Sequence, residues 1–188
     1  GLDPKTGERK WSFDKISGNS TPTPIPIGDG KFLIGATTGR GEGGGGNAAA
    51  SNGVIAIEKN ESRDFTARYV WQAKRATSSF GSPLVHDGLA YIVNRSGVIY
   101  CLDLENGNEE YAKRTASRVW ATPIAVGNLL YLFGKDGTLT TTTTGRDFRE
   151  VSSRKTLASG ATAKVLYAAT LVDSAFLLRT GDRVYRLR

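Results

Sequence analysis

Ser82-Pro83-Leu84-Val85-His86-Asp87-Gly88-Leu89-Ala90-Tyr91-Ile92-Val93 recurs as Thr122-Pro123-Ile124-Ala125-Val126-Gly127-Asn128-Leu129-Leu130-Tyr131-Leu132-Phe133, with the two prolines 40 positions apart. Looser copies flank the pair. Upstream, Thr23-Pro24-Ile25-Pro26-Ile27-Gly28-Asp29-Gly30-Lys31-Phe32-Leu33-Ile34 keeps the order, and downstream Ala169-Thr170-Leu171-Val172-Asp173-Ser174-Ala175-Phe176-Leu177-Leu178 does so too. Four units on one plan make an internal repeat, the signature of supersecondary units that bury their apolar faces on one another.

Each unit reads as short apolar or β-branched runs separated by turn pairs such as Asp-Gly and Gly-Asn. In the second unit, strand A holds Pro83 to Val85, strand B Leu89 to Val93, strand C Val98 to Leu102, and a more polar strand D Glu109 to Lys113. The polar last strand suits an outer edge facing water. Inner runs such as Leu129-Leu130-Tyr131-Leu132-Phe133 are continuous rather than alternating, so both faces of those strands are expected to be buried. A sheet packed between two neighbours has that environment. The expected fold is therefore all-β: a β-propeller of four-stranded antiparallel blades forming a single domain over residues 1–188. Residues 21–72, 80–113 and 120–157 each read as one blade, and 165–188 as strands A to C of another. Residues 8–13 read as a D strand, which either closes the last blade or belongs to a blade lying outside the chain. Ala48-Ala49-Ala50 is too short to stand alone as a helix.

Composition excludes several classes. The chain of 188 residues is 39% hydrophobic and 23% charged, a globular balance. Cys101 is the only cysteine, so no intrachain disulfide and no cysteine-cluster metal site is possible. No apolar run reaches the roughly 20 residues of a membrane helix. Gly1-Leu2-Asp3-Pro4-Lys5 lacks the order of a signal peptide and the chain has no methionine, so it reads as part of a longer protein. Lys and Arg outnumber Asp and Glu by 25 to 18, a formal charge of +7 that favours acidic partners.

Gly1-Leu2-Asp3-Pro4-Lys5-Thr6-Gly7-Glu8-Arg9-Lys10-Trp11 can form a turn with Asp3 and Thr6 bonding backbone, Gly7 at positive φ, and Trp11 offering a large surface to a neighbouring blade. This stretch resembles the tryptophan-docking motif of the PQQ-like repeat propellers, Ala-x-Asp-x-x-Thr-Gly-x-x-x-Trp, with Gly1 in place of the alanine. Leu102-Asp103-Leu104-Glu105-Asn106-Gly107-Asn108-Glu109-Glu110-Tyr111 is a degraded copy, and in the third unit Thr140 to Thr144 followed by Gly145-Arg146-Asp147-Phe148 replaces it. The resemblance spans nearly the whole chain. It implies an arc of about four blades from a propeller of seven or eight, and an extracytoplasmic location, periplasmic or secreted. The family includes quinone-dependent alcohol dehydrogenases, a lipoprotein that helps assemble outer-membrane proteins, and secreted repeat proteins.

Function has to come from sites. A quinone dehydrogenase of this family carries an adjacent Cys-Cys pair, which one cysteine cannot supply, so no catalytic, cofactor-binding or metal residue is assigned. His86 stands where other units have Gly28 and Val126, a turn position, and Cys101 within strand C reads as a small buried hydrophobe. Gly39-Arg40-Gly41-Glu42-Gly43-Gly44-Gly45-Gly46 lacks the Gly-Lys-Ser/Thr ending of a phosphate loop and reads as an insertion between strands B and C, a place where binding is common. Trp71 and Trp120 read as packing between blades.

Alternating strand direction puts B-to-C turns and D-to-A connections on one face. Arg40, Lys74, Arg75, Arg95, Lys113, Arg114, Arg118 and Lys135 fall there; Asp29, Asp87, Asp103, Glu105, Asp147 and Asp173 fall on the other. The expected function is a non-catalytic binding or assembly scaffold whose basic face, through Arg40, Arg75, Arg95 and Arg118, meets another protein or an acidic envelope polymer. The alternatives are a fragment of a quinoprotein dehydrogenase and a sequence-indifferent polyanion-binding module, with base-reading motifs absent. Exposed blade ends also allow a homodimer.

Overall fold

The computed structural model describes residues 1–17, 20–37, 48–61, 64–157, 166 and 168–188. They form four antiparallel sheets, each a meander in which strands pair with their chain neighbours. Blade one is β1 (Ile25–Gly28), β2 (Lys31–Ile34), β3 (Gly53–Lys59) and β4 (Phe65–Gln72); blade two is β5 (Leu84–His86), β6 (Leu89–Val93), β7 (Val98–Asp103) and β8 (Glu109–Arg114). Blade three is β9 (Ile124–Val126), β10 (Leu129–Phe133), β11 (Thr138–Thr143) and β12 (Glu150–Lys155). Blade four has three strands, β13 (Ala168–Val172), β14 (Ala175–Arg179) and β15 (Val184–Leu187). Three four-stranded blades and a three-stranded one match the repeat plan.

Local chemistry explains the hairpins. In every blade the first two strands are joined by a two-residue loop: Asp29-Gly30, Asp87-Gly88, Gly127-Asn128 and Asp173-Ser174. Asp87 and Gly88 both have positive φ, 47° and 71°, as a type I′ turn requires, and its twist matches that of the flanking strands.

The blades stand side by side with their first strands inward, since β1 neighbours β5, β5 neighbours β9, and β9 neighbours β13. An apolar cluster fills each seam. Tyr91, Leu89 and Val93 of β6 pack with Leu130 and Leu132 of β10, while Ala90 joins Leu33, Val54 and Trp71 on the opposite side. Phe133 and Leu139 in turn meet Leu178 of β14. Both faces of the inner strands are thus buried, which is why their sequences run apolar without alternation. The outer strand β12 is exposed along its whole length.

Hydroxyl groups add a ladder along the inner edge that the repeat alignment contains but does not announce. The residues before the prolines, Thr23, Ser82 and Thr122, are joined in sequence: Thr23 N–H donates to Ser82 Oγ at 2.9 Å, and Ser82 N–H to Thr122 Oγ1 at 3.0 Å.

One expectation differs in detail. Residues 8–13 are not a strand: their one bridge pairs Arg9 with Leu2. Asp3 N–H donates to Glu8 O and Lys10 N–H to Gly1 O, so this stretch folds back on residues 1–3 as a short hairpin closed by the Asp3 to Gly7 turn rather than joining a blade. Ala48–Ser51 forms one turn of 3-10 helix. No helix among the described residues is long and apolar enough to cross a membrane.

Candidate docking face

Hydrogen bonds link the B-to-C turns to the D-to-A connections and so establish which loops share a face. Thr115 N–H donates to Gly97 O at 2.8 Å, Lys135 N–H to Arg118 O at 2.7 Å, and Thr156 N–H to Gly137 O at 2.9 Å. On the opposite face Leu104 N–H reaches Gly88 O and Thr144 N–H reaches Asn128 O, tying C-to-D turns to A-to-B turns. Arg95 and Arg118 therefore lie on loops of one face.

Aromatic rings organise cations on that face. Phe80 and Trp120 occupy equivalent places in the connections entering blades two and three, and their rings meet edge to face with centroids 4.9 Å apart. The Arg95 guanidinium lies over Phe80 at 5.3 Å, and Lys135 Nζ over Trp120 at 4.4 Å. The result is a continuous row of cation, ring, ring and cation across the seam. Each cation is held against a ring quadrupole, and both residues are partly exposed. Arg118 is exposed beside the row.

A recess of about 420 Å³ opens next to it, lined by Phe80, Gly81, Trp120, Thr122, Ala168 and Ala169. Its floor is set by Gly81, where a Cβ would come within 2.8 Å of the Ala121 and Thr122 backbone. Only glycine lets the two connections approach this closely.

The base of the glycine-rich insertion is fastened by a buried side chain. Asn52, fully shielded from solvent, accepts on Oδ1 from Ala36 N–H at 3.0 Å, Ser78 N–H at 3.1 Å and Ser78 Oγ at 2.8 Å, and donates from Nδ2 to Ala36 O at 2.9 Å. It joins the end of strand B, the start of strand C and the connection to blade two, so blade one closes normally below the insertion. The insertion, Arg40 included, lies outside the described residues.

Arg75 is not grouped with Arg95 and Arg118. Its guanidinium pairs with both Glu109 carboxylate oxygens, Nε at 2.8 Å from Oε2, and stands 6.0 Å from the Tyr100 ring centroid. Those partners belong to strands β7 and β8 of blade two, on the outer side of the seam. Charge separation between the faces is also incomplete. Asp136 sits in a B-to-C turn on the basic side, and Arg146, on the other side, pairs with Asp103 at 2.7 Å and with Glu110. Burial raises the Asp136 carboxyl, but hydrogen bonds from Ser117 and from the Thr138 backbone and hydroxyl, with Lys155 nearby, bring it down to about 2.

The motif residues hold their own turns. Asp3 Oδ1 accepts from Lys5 and Thr6 N–H, and Thr6 Oγ1 from Glu8 N–H. Asp103 and Asn106 make the same three bonds to Glu105, Asn106 and Asn108. Gly7 and Gly107 share a φ of 74°. Trp11 lies against Gly1, in the space an alanine methyl would take. Docking across a seam is made by Trp71, whose Nε1 donates to Leu104 O at 2.9 Å and whose ring covers Gly107, where a Cβ would fall 2.6 Å from it. Blade three, lacking the motif, uses Gly145 instead: its N–H donates to the buried Tyr91 hydroxyl at 2.8 Å.

His86 Nε2 donates to Gly127 O of the next blade at 2.9 Å and lies 3.2 Å from Asp87 Oδ2, a turn-to-turn contact with no nucleophile in it. Cys101 is fully buried, and burial pushes its thiol up to about 12. Among the described residues no three His, Cys, Asp or Glu side chains converge as metal ligands would.

Comparison with known proteins agrees with this architecture. A family model described as outer membrane protein assembly factor BamB matches residues 1–141 and 51–175. BamB from Moraxella catarrhalis superposes with a TM-score of 0.52 at 18% identity over 88% of this chain and 56% of its own. The N-terminal domain of Nup159 gives 0.54 at 15% over 87% and 40%, and a europium-containing methanol dehydrogenase 0.51 at 14% over 76% and 26%. At these identities each likeness carries the fold alone, and the chain spans little more than half of the BamB structure. No curated protein sequence matches it. With the family model covering most of its length, the chain belongs to the PQQ-like repeat family described as outer membrane protein assembly factor BamB.

Proposed function

We propose that this chain is a non-catalytic, extracytoplasmic binding scaffold that docks an acidic protein on the face carrying Arg95, Arg118 and Lys135. The observation that carries the reading is the row of Arg95, Phe80, Trp120 and Lys135, which combines exposed aromatic surface with fixed positive charge. Interfaces concentrate their energy in such aromatic and arginine anchors, and a basic surround steers an acidic partner toward them. Family membership supports the same reading, because the matching model is named for an assembly factor. Location outside the cytoplasm rests on that kinship.

The enzyme reading draws on the likeness to methanol dehydrogenase. A chain with one cysteine, buried in the second blade, offers no adjacent Cys-Cys pair to a quinone. Two titrations separate the readings. Pyrroloquinoline quinone with calcium, followed by absorbance, is expected to leave the quinone spectrum unchanged, whereas a labelled polyglutamate is expected to gain anisotropy on mixing at low salt and lose it as salt rises. A saturable spectral change with no polyglutamate binding would reverse the assignment.

A further inference from the structure

The hydroxyl ladder stops at the recess. Blades one to three carry Thr23-Pro24, Ser82-Pro83 and Thr122-Pro123 at one repeat position, and blade four carries Ala168-Ala169. Register confirms the equivalence: Val126 opposes Leu129 as Val172 opposes Ala175, which places Ala168 at the Thr122 position and Ala169 at that of Pro123. Two consequences follow. The missing proline ring and threonine side chain leave space, and Ala168 and Ala169 are the residues that line it. The missing hydroxyl leaves Thr122 N–H without the acceptor that Thr23 and Ser82 find one blade on; among the described residues no protein group takes its place.

A backbone donor without a partner, beside an apolar hollow, asks for a ligand with an acceptor next to an apolar group. Arg95 and Lys135, stacked on the two ring walls, set the sign of the surrounding charge. We infer that the recess between blades three and four is an anchor site for an acidic protein segment, taking one aromatic or branched apolar side chain between Phe80, Trp120 and Ala169 while an adjacent carboxylate or carbonyl of that segment accepts from Thr122 N–H. The inference rests on the reading of this face as the docking surface for an acidic protein, and adds to it the kind of side chain recognised. Gly81 and the alanines form the hollow; the cations select what approaches it.

The test uses two labelled peptides, acetyl-Glu-Asp-Glu-Phe-Glu-Asp-Glu and its twin with Ala for Phe, read by fluorescence anisotropy on the whole chain at low salt. Burial of the ring predicts that the Phe peptide binds about tenfold tighter than its twin. Ala168→Thr/Ala169→Pro, which rebuilds what the other blades carry, is expected to remove the preference and leave the twin's affinity unchanged. Ala169 lies within β13, so Phe80→Ala, at a partly exposed wall, serves as a second variant: it is read only by the ratio of the two affinities, which is expected to fall to about one, because Phe80 also holds Arg95 and its loss weakens both peptides. Equal binding of the two peptides to the unaltered protein, or a preference surviving in both variants, overturns the anchor site while the docking reading stands. Failure of both peptides to bind at all overturns the docking reading with it.

Discussion

Asn52 offers the sharpest test of how blade one tolerates its insertion. Replacing it with alanine removes at least four hydrogen bonds at once and strands Ala36 N–H in a site that excludes solvent, while Ser78 N–H and Ala36 O keep their bond to each other at 3.1 Å. A stranded buried backbone group costs about 1–3 kcal/mol and the lost acceptor of Ser78 Oγ adds to it, while water entering the space vacated by the amide returns part, so a total loss of roughly 2–3 kcal/mol is expected. For a chain of this length that lowers the melting temperature by roughly 4–12 °C. Asn52→Asp separates charge from shape. Its carboxylate keeps the acceptor but turns an oxygen toward Ala36 O and buries a charge, which raises its folded-state pKa above the unfolded value. The penalty of the ionised form is then present above the folded pKa and disappears as pH falls below the unfolded pKa, where the protonated acid donates as the amide did. Urea unfolding at pH 7 and pH 4 reads both effects. A loss under about 1 kcal/mol for the alanine variant, or an aspartate variant no better at pH 4 than at pH 7 relative to the parent, would refute the role given to Asn52.

Trp71→Phe keeps most of the ring over Gly107 but deprives Leu104 O of its donor, so a loss of about 1 kcal/mol is expected in urea unfolding, whereas Gly107→Ala, meeting both the ring and a positive φ, should cost more than that. Tyr91→Phe deprives the partly buried Gly145 N–H of its acceptor and should destabilise by about 1 kcal/mol, with the C-to-D turn of blade three showing the largest gain in amide hydrogen exchange. Asp136 has a folded-state pKa near 2, below its ordinary value of 3.8, so its contribution is full above about pH 4 and is lost as pH falls toward 2. Its side chain is 43% exposed, which limits that contribution to about 1 kcal/mol; Asp136→Asn should flatten the stability profile between pH 4 and 2 and leave its shape above pH 5 unchanged.

The blade plan was legible because it depends on local chemistry repeated four times. Asp87-Gly88 demands its turn, and Leu129 to Phe133 demands burial on both sides, so strand order and inner position follow from short stretches read alone. Sites spread across seams were less legible. The Thr23, Ser82 and Thr122 ladder stood in the aligned copies, but a hydroxyl before a proline has many uses, and only the seam geometry gives it an acceptor role. Arg75 shows the converse: its loop suggested the basic face, yet its guanidinium is paired with Glu109 of the next blade's outer strand. Asn52 could not have been picked out, since its partners lie 16 and 26 residues away in segments without a shared pattern.

The central claim is that one face, rather than net charge, binds the partner. Arg95→Glu/Arg118→Glu and Lys31→Glu/Arg149→Glu change the charge of the chain equally, the first pair on the loops beside the recess and the second on the opposite turns. Measured with labelled polyglutamate at a single ionic strength, the first double variant is predicted to weaken binding at least about tenfold more than the second, as loss of two adjacent charges implies. Equal weakening by the two would show that bulk charge alone attracts the probe and would contradict the docking face.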